Sequence, residues 1–369
     1  MSRVVVVGGG VIGSLHALAA LERGHEVIQL ERELEARGAS VRNFGLIWVS
    51  GRRSGAELAF ALRSRELWAR LADDIPGLGF RANGSLTVVQ HEAELAVLEQ
   101  VMARADASER QLALLDAGEV ARLNPAVRGE VLAGLHCRAD GAVEPRRVPR
   151  AIRAVLERDP RYHWLPGRHV VEVGDGFVRD HAGSRHEGEI VIVCTGASHG
   201  FQGWQFEHAP LRRVRLQMLE TEPIPARLTT SIADADSLRY YPAFDLPALA
   251  ALAEPAPIVA EKRIQLLLQQ RLDGSLTIGD THELEEPFDV ALAEAPYLHL
   301  QERVESILGR PMPAVARRWA GVYSQSRDER LYHRERIGQS TWIVTGAGGR
   351  GMTFAPAIAE DVFAAIEAG

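Results

Sequence analysis

Three glycines at a fixed spacing, Gly8, Gly10 and Gly13, follow four consecutive valines and open a stretch rich in alanine and leucine. A second apolar run, 27–30, ends in the acid Glu31. In that order of strand, turn, helix and strand, G-x-G-x-x-G is an anion site. The first glycine permits the tight turn, the second lets backbone approach a pyrophosphate, and the third lets helix and strand pack closely. The helix is expected over 14–23, and its first N–H groups and dipole favour a phosphate; Val11 and Ile12, just before it, belong to the candidate cofactor site. Glu31 stands eighteen residues after Gly13, where a carboxylate can accept hydrogen bonds from both hydroxyls of a ribose. The chemistry on offer is to hold a dinucleotide.

A second glycine cluster runs from Gly346 to Thr353 after the apolar segment 341–345. The spacing predicts a helix over 354–367, with Thr353 as N-cap and Pro356 in the first turn. Gly348, Gly349 and Gly351 would let backbone approach a flat ring. A helix N-terminus would stabilise the negative charge of a reduced flavin there. Arg350 either adds a full positive charge or is solvated.

Other residues carry chemistry singly. Arg271 closes an alternating run beside an Asp-Gly turn; its guanidinium fork suits a carboxylate or phosphonate, or faces solvent. Gln217 is a polar residue in an apolar strand and points to a cavity or to water. Tyr240 and Tyr241 on one strand would face opposite ways, so at most one enters a site, and Tyr241 is the candidate. Trp48 and Tyr323 are cavity walls or plain core. His282, beside an Asp-Thr turn, reads as a surface-loop histidine.

The 369 residues suffice for two domains with full cores, and 46% hydrophobic with 25% charged residues is ordinary for a globular chain. A net charge of −7 gives no electrostatic reason to expect nucleic acid or an anionic membrane. Lys262 is the only lysine among 42 basic residues, so an arginine means little here unless its position does. Two distant cysteines fit neither a metal spacing nor a disulfide framework. With a strand beginning at residue 3 and no membrane-length apolar run, a reducing cytoplasm is the expected compartment.

After Glu31 the chain enters a loop, 38–48, rather than the regular helix-strand repeat of a nicotinamide dehydrogenase. Helices are predicted over 56–72, 92–105 and, capped by Asp116, to 123; strands over 84–89 and 189–194, the latter ending in Thr195-Gly196. Three glycine-marked strand ends, far apart in sequence, imply an α/β (α+β, two-domain) fold. A Rossmann-like nucleotide domain would comprise 1–80, 136–205 and 319–369. A substrate domain with a mixed or antiparallel sheet would comprise 81–135 and 206–318.

This arrangement resembles the FAD-dependent D-amino-acid oxidase superfamily, which includes glycine and sarcosine oxidases, over essentially the whole chain. The opening fingerprint with Glu31, Ala39-Ser40-x-Arg42-Asn43, Asp140-Gly141-Ala142-Val143-Glu144-Pro145, Cys194-Thr195-Gly196-Ala197 and Gly351-Met352-Thr353 carry the likeness. A narrower one, to the bacterial subgroup proposed to oxidise aminophosphonates, rests on 38–46 (through Phe44, Gly45 and Leu46), 216–219, 238–242, 279–283 and 317–323. The resemblance implies that Gly8, Gly10 and Gly13 hold the FAD pyrophosphate and Glu31, with Arg32 nearby, the adenosine ribose. Ser40, Arg42 and Asn43 would run along the pyrophosphate toward the isoalloxazine. Val170 would present its backbone to adenine, Thr195 and Gly196 would close over the nucleotide, and 349–353 would line the flavin pyrimidine. It also places a carboxylate-binding arginine near Arg271. With no cysteine in the C-terminal glycine segment, FAD would be held non-covalently.

The implied reaction is hydride transfer from the α C–H of a small acidic amine to flavin N5, imine hydrolysis, and reoxidation by O2 to give H2O2. The narrower likeness implies an aminophosphonate substrate, such as N-methyl-2-aminoethylphosphonate. The alternatives are a D-amino acid, glycine or sarcosine oxidase, a dehydrogenase, or a flavoprotein subunit without turnover of its own. A homo-oligomer is compatible with all of these.

Overall fold

The computed structural model describes residues 1–204 and 206–369. The four valines form a central strand, β1 (Arg3–Val7), buried on both faces, as a strand flanked by parallel neighbours must be. Helix α1 (Val11–Glu22) leads to β2 (Glu26–Glu31), which lies parallel to β1. On the other side of β1 lies β3 (Ile190–Val193), also parallel, although more than 180 residues separate them. Thr341–Thr345 continues the parallel set next to β3, His333–Ile337 closes that edge antiparallel, and Tyr162–Pro166 closes the other beside β2. The six-stranded sheet is thus assembled from four distant stretches of chain.

Successive valines of β1 point to opposite faces. Val4 and Val6 pack with Leu15 of α1 and with Phe354, Ile358 and Phe363 of the last helix, while Val5 and Val7 pack with Val170, Val173 and Val178 of a small antiparallel sheet. Helix α2 (Ala56–Asp74) lies against the last helix, α3 (Gly351–Glu367). Pro356 sits inside α3, where it lacks the N–H that would reach the Met352 carbonyl. Trp68 Nε1 of α2 donates to that carbonyl at 3.0 Å and so replaces the lost bond. Because α3 starts at Gly351, Thr353 lies within its first turn and is not its N-cap; Arg350 occupies that position.

The second sheet has eight strands. Its spine is a long antiparallel ribbon of β4 (Leu211–Thr221) and β5 (Val315–Ser326). Leu276–Gly279, Leu267–Gln270, Ser231–Ala233, Ser85–Val89, Ala133–Cys137 and Leu112–Asp116 follow in that order; all neighbours are antiparallel except Ser231–Ala233 and Ser85–Val89. The helix Glu294–Leu308 covers one face through Leu300, Val304 and Ile307. The other face meets Phe44, Trp48 and Tyr241. Residues 319–326 and 136–137 belong to strands of this second sheet, so boundaries drawn at 319 and 136 would cut through hydrogen-bonded strands. Among the described residues, no helix is long and apolar enough to cross a membrane.

Candidate functional site

The carboxyl ends of β1, β2 and β3 open on one cavity of about 1260 Å³ that runs on between the two sheets. That exceeds the ~300–1,000 Å³ of ordinary small-molecule pockets, as a dinucleotide together with a second ligand requires. The fingerprint glycines build its near end by close packing. Gly8 holds φ at +109°, and a Cβ there would stand 2.4 Å from the Cys194 carbonyl oxygen. A Cβ on Gly13 would stand 2.1 Å from the Gly8 carbonyl oxygen, so helix and turn touch backbone to backbone. Gly10 is the N-cap of α1, and its missing side chain lets Ser40 Oγ pack in close, 2.9 Å from where a Cβ would be.

Polar side chains fix this end. Glu31 Oε2 accepts from the Gly9 amide at 2.7 Å, and Oε1 from the Glu33 amide at 3.0 Å. Each oxygen retains acceptor capacity for a ribose. Ser40 Oγ accepts from the Val11 amide at 2.9 Å, tying the loop to the start of α1. Asn43 is a loop builder: it donates to the Ala39 and Ser40 carbonyls and accepts from the Gly45 amide. Arg42 Nη1 donates to the Ala320 carbonyl at 3.0 Å and so joins the loop to β5. Arg32 donates to Ser198, beyond Thr195 and Gly196. Ile12, Phe44, Leu46 and Val170 line the same space. Gly13 and Gly45 do not line it. Gly45 has φ +78°, and a Cβ there would lie 2.2 Å from the Val143 carbonyl oxygen; its role is to let the chain pass.

At the far end, Gly348 (φ +62°), Gly349 and the opening of α3 form the floor. The Tyr240 and Tyr323 hydroxyls converge over Gly349, each 3.7 Å from the position of a Cβ. Thr353 Oγ1 accepts from the Trp48 amide at 3.0 Å and donates to the Leu46 carbonyl at 3.2 Å, so α3 positions the loop that carries Trp48. Met352 lines the floor beside it. Arg350 is held by Glu57 and by the Ala347 and Arg330 carbonyls.

Sequence-based expectation and structure part at four further places. Arg271 is buried away from the cavity, donating to Thr277 Oγ1 at 2.7 Å and to the Phe44 and Asn43 carbonyls at 2.8 and 2.9 Å. Its strand ends against the 43–44 loop, so the fork meets backbone there. Burial lowers its pKa to about 10. Arg271→Met is expected to cost about 3 kcal/mol in urea unfolding, since two carbonyls lose their donor. It should change the affinity of the flavin-loaded protein for small anions by less than about threefold, or ~0.7 kcal/mol; a ligand clamp would give the reverse pattern. Gln217 also points away: in β4 its neighbours Leu216 and Met218 face the cavity, while its amide bonds Glu283 and the Ala293 N–H behind the sheet. Tyr240 and Tyr241 do not lie on a strand. They follow a 3₁₀ turn (Ala235–Arg239) capped by Asp234, and Pro242 starts another, so both rings line the cavity. His282 is 5% exposed and stacks on Tyr240 at 4.2 Å.

The turn arrangement also exposes a guanidinium that sequence reasoning missed. Arg52 is buried in the cavity wall, its Nε donating to the Trp48 carbonyl at 2.8 Å. Its Cζ lies 5.9 Å from the Tyr241 ring, and that ring lies 5.9 Å from Trp48. Nη1 stands 4.0 Å from Glu57 Oε1, while Arg350 Nη1 stands 3.3 Å from the same oxygen. Two guanidinium groups sharing one carboxylate leave a net positive charge at the wall. Asp280 and Gln265, also buried, line the cavity near His282.

The wall fits FAD: an anion cradle with a ribose-acceptor acid at one end, and at the other a glycine floor, where side chains would block a flat ring, at a helix N-terminus. A family model described as DAO, FAD dependent oxidoreductase, matches residues 3–365. An opine oxidase subunit from Agrobacterium tumefaciens (strain Ach5) is 28% identical over 238 residues, which is 59% of this chain and 63% of that protein. The chain thus spans less than two thirds of that curated relative. Among solved structures, glycine oxidase from Geobacillus kaustophilus superposes with a TM-score of 0.80 at 18% identity, covering 100% of this chain and 95% of that one. L-proline dehydrogenase from P. horikoshii superposes with a TM-score of 0.77 at 20% identity, over 97% and 91%. These likenesses concern the fold.

Proposed function

The chain belongs to the DAO family of FAD-dependent oxidoreductases, and we propose that it oxidises a small primary or secondary amine bearing an acidic group, with N-methyl-2-aminoethylphosphonate as the leading substrate. The observation that carries this reading is the local net positive charge where Arg52 and Arg350 share the carboxylate of Glu57, beside the rings of Trp48 and Tyr241. A carboxylate or phosphonate would complete that charge balance by accepting from the Nη groups of Arg52, which make no hydrogen bond among the described residues.

FAD, when bound, supplies the hydride acceptor and passes the electron pair to oxygen or another acceptor. Everything else falls to the chain. Gly8, Gly10, Ser40 and the start of α1 would hold the pyrophosphate, Glu31 the ribose, and Gly348 to Thr353 the pyrimidine end, without a covalent bond. Arg52 would fix the acidic end of the substrate, and Trp48, Tyr240 and Tyr241 would exclude water and set the amine-bearing carbon over the glycine floor. Released into water, the imine product hydrolyses to an aldehyde or keto acid. One observation favours a second reading: the likeness to a protein named as one subunit of an oxidase suits a flavin-bearing chain that works within a larger assembly.

Anaerobic bleaching of the visible flavin band tests both. Rapid bleaching by N-methyl-2-aminoethylphosphonate, with little by sarcosine, is expected. Bleaching by sarcosine alone would move the substrate to the amino acids. A flavin-loaded chain bleached by neither would overturn the stand-alone amine oxidation and leave the larger-assembly reading.

A further inference from the structure

Arg52 accounts for one pole of the cavity. The other pole is a carboxylate. Asp280 is 4% exposed, and among the described residues no arginine or lysine approaches it within 4.0 Å. It is held firmly: its amide donates to the Gln265 carbonyl at 2.8 Å, and its Oδ1 accepts from Gln265 Nε2 at 3.1 Å. His282 Nε2 lies 3.9 Å from Oδ2. The ring is turned by its other nitrogen, 2.9 Å from the Arg263 carbonyl, which can only accept, and at 3.9 Å Nε2 lies beyond hydrogen-bond reach of Asp280. A second acceptor lies beside it: among the described residues Gln265 Oε1 is buried without a hydrogen-bond partner, and Gln265 lines the cavity. A buried carboxylate beside an unpaired carbonyl oxygen calls for a cationic N–H donor. Tyr240 and Tyr241, 5.0 Å apart, stand between this pair and Arg52: Tyr240 stacks on His282 and Tyr241 lies against Arg52.

Building on the amine-oxidising reading above, we propose that Asp280 docks the substrate's ammonium group and accepts its surplus proton, so that the cavity selects a zwitterion held at both ends. In the proton step one N–H bond breaks and one O–H bond forms on Asp280, and the nitrogen lone pair released is the one that oxidation needs. Burial raises the Asp280 pKa above its ordinary value, which suits a group that must take a proton from an amine. The other titratable groups facing it are His282 from its own loop, Tyr240 and Tyr241 from the turn, and Tyr323 from β5. Burial pushes all three tyrosines up, Tyr240 to about 12, so they stay neutral.

The test uses the flavin-loaded protein and its Asp280→Asn variant, which keeps the shape and the Gln265 contact while losing the charge. Binding is read anaerobically by rapid mixing, from the concentration dependence of the flavin-reduction rate for an amine that reduces the flavin and from the perturbed flavin spectrum for a ligand that does not, with two pairs: N-methyl-2-aminoethylphosphonate against ethylphosphonate, and sarcosine against propionate. The wild type should bind the amine of at least one pair about tenfold or more tightly than its amine-free partner, and the variant should lose that preference while binding the amine-free anion as before. Flavin reduction in the variant should keep rising with pH toward the amine's own pKa, whereas in the wild type it should level off well below. A wild type without amine preference, a variant that loses both ligands alike, or two identical pH profiles would overturn the proposal. An amine preference without any flavin reduction would leave the docking site standing and overturn the oxidation.

Discussion

Gly13→Ala is expected to yield a folded protein that purifies without its yellow colour. The added methyl would stand 2.1 Å from the Gly8 carbonyl oxygen, and backbone cannot swing aside as a side-chain tip can. Nor can the turn retreat, because Gly8 already lies so close to the Cys194 carbonyl that its own Cβ would be 2.4 Å away. Helix α1 would have to lift from β1, carrying the amides of Gly10 to Ile12 out of the geometry that cradles a pyrophosphate. Overpacking of this kind costs about 1–3 kcal/mol, against a total of ~5–15 kcal/mol for a native domain; the fold survives but the cradle does not. Flavin content, read as the ratio of visible to ultraviolet absorbance after gel filtration, should fall at least about tenfold if some 1.4 kcal/mol of the distortion reaches the site. Gly38→Ala is the control: Gly38 lines the same cavity, but a Cβ there meets nothing within 4 Å, so the colour should remain. Retention of flavin by Gly13→Ala at wild-type affinity would mean that the fingerprint does not hold FAD.

The contrast between those two glycines shows what the chain discloses by itself. The spacing of Gly8, Gly10 and Gly13 is local, and local rules suffice to read it: four valines must be a buried strand, and the turn after them must pack on its own helix. The same holds for β4 and for the strand before Gly346. The far end of the cavity obeys different physics. Tyr240 and Tyr241 look like an alternating strand until the Asp234 cap and Pro242 force two 3₁₀ turns that place both rings on one side. Arg52 and its neighbour Arg53 are indistinguishable in an arginine-rich sequence. What separates them is that Arg52 is buried against the Trp48 carbonyl while Arg53 is exposed, a difference set by Thr353 anchoring the Trp48 loop from 305 residues away. Arg271 misleads for the mirror-image reason. It has the right residue type at a strand end, yet the 43–44 carbonyls reach it first. Gln217 fails by the pleat: two apolar neighbours face the cavity, so the polar residue between them must face away. Cavity chemistry between distant segments is written in long-range contacts, and a single sequence does not display those.

Arg52→Gln should therefore produce the largest change in substrate recognition. The glutamine keeps a polar tip in the wall but removes the charge and the paired N–H edge. The variant should still fold, because Glu57 retains Arg350 at 3.3 Å and no buried carboxylate is stranded. Truncating one partner of a buried, hydrogen-bonded charge pair typically costs 2–5 kcal/mol; taking about 3 kcal/mol predicts a KM for the acidic amine raised roughly a hundredfold. The loss should fall on every ligand with an acidic end, including ethylphosphonate and propionate, because the contact is to the anion and not to the amine. Asp280→Asn should spare those same amine-free anions, so the two variants together divide the ligand into its poles. Arg52→Lys should recover little of the loss, since an ammonium is a point charge and cannot present the fork. Steady-state kinetics at fixed ionic strength, with flavin content measured on each preparation, gives the answer. A KM within about threefold of wild type, ~0.7 kcal/mol, would remove Arg52 from the site and with it the charge argument for an acidic substrate.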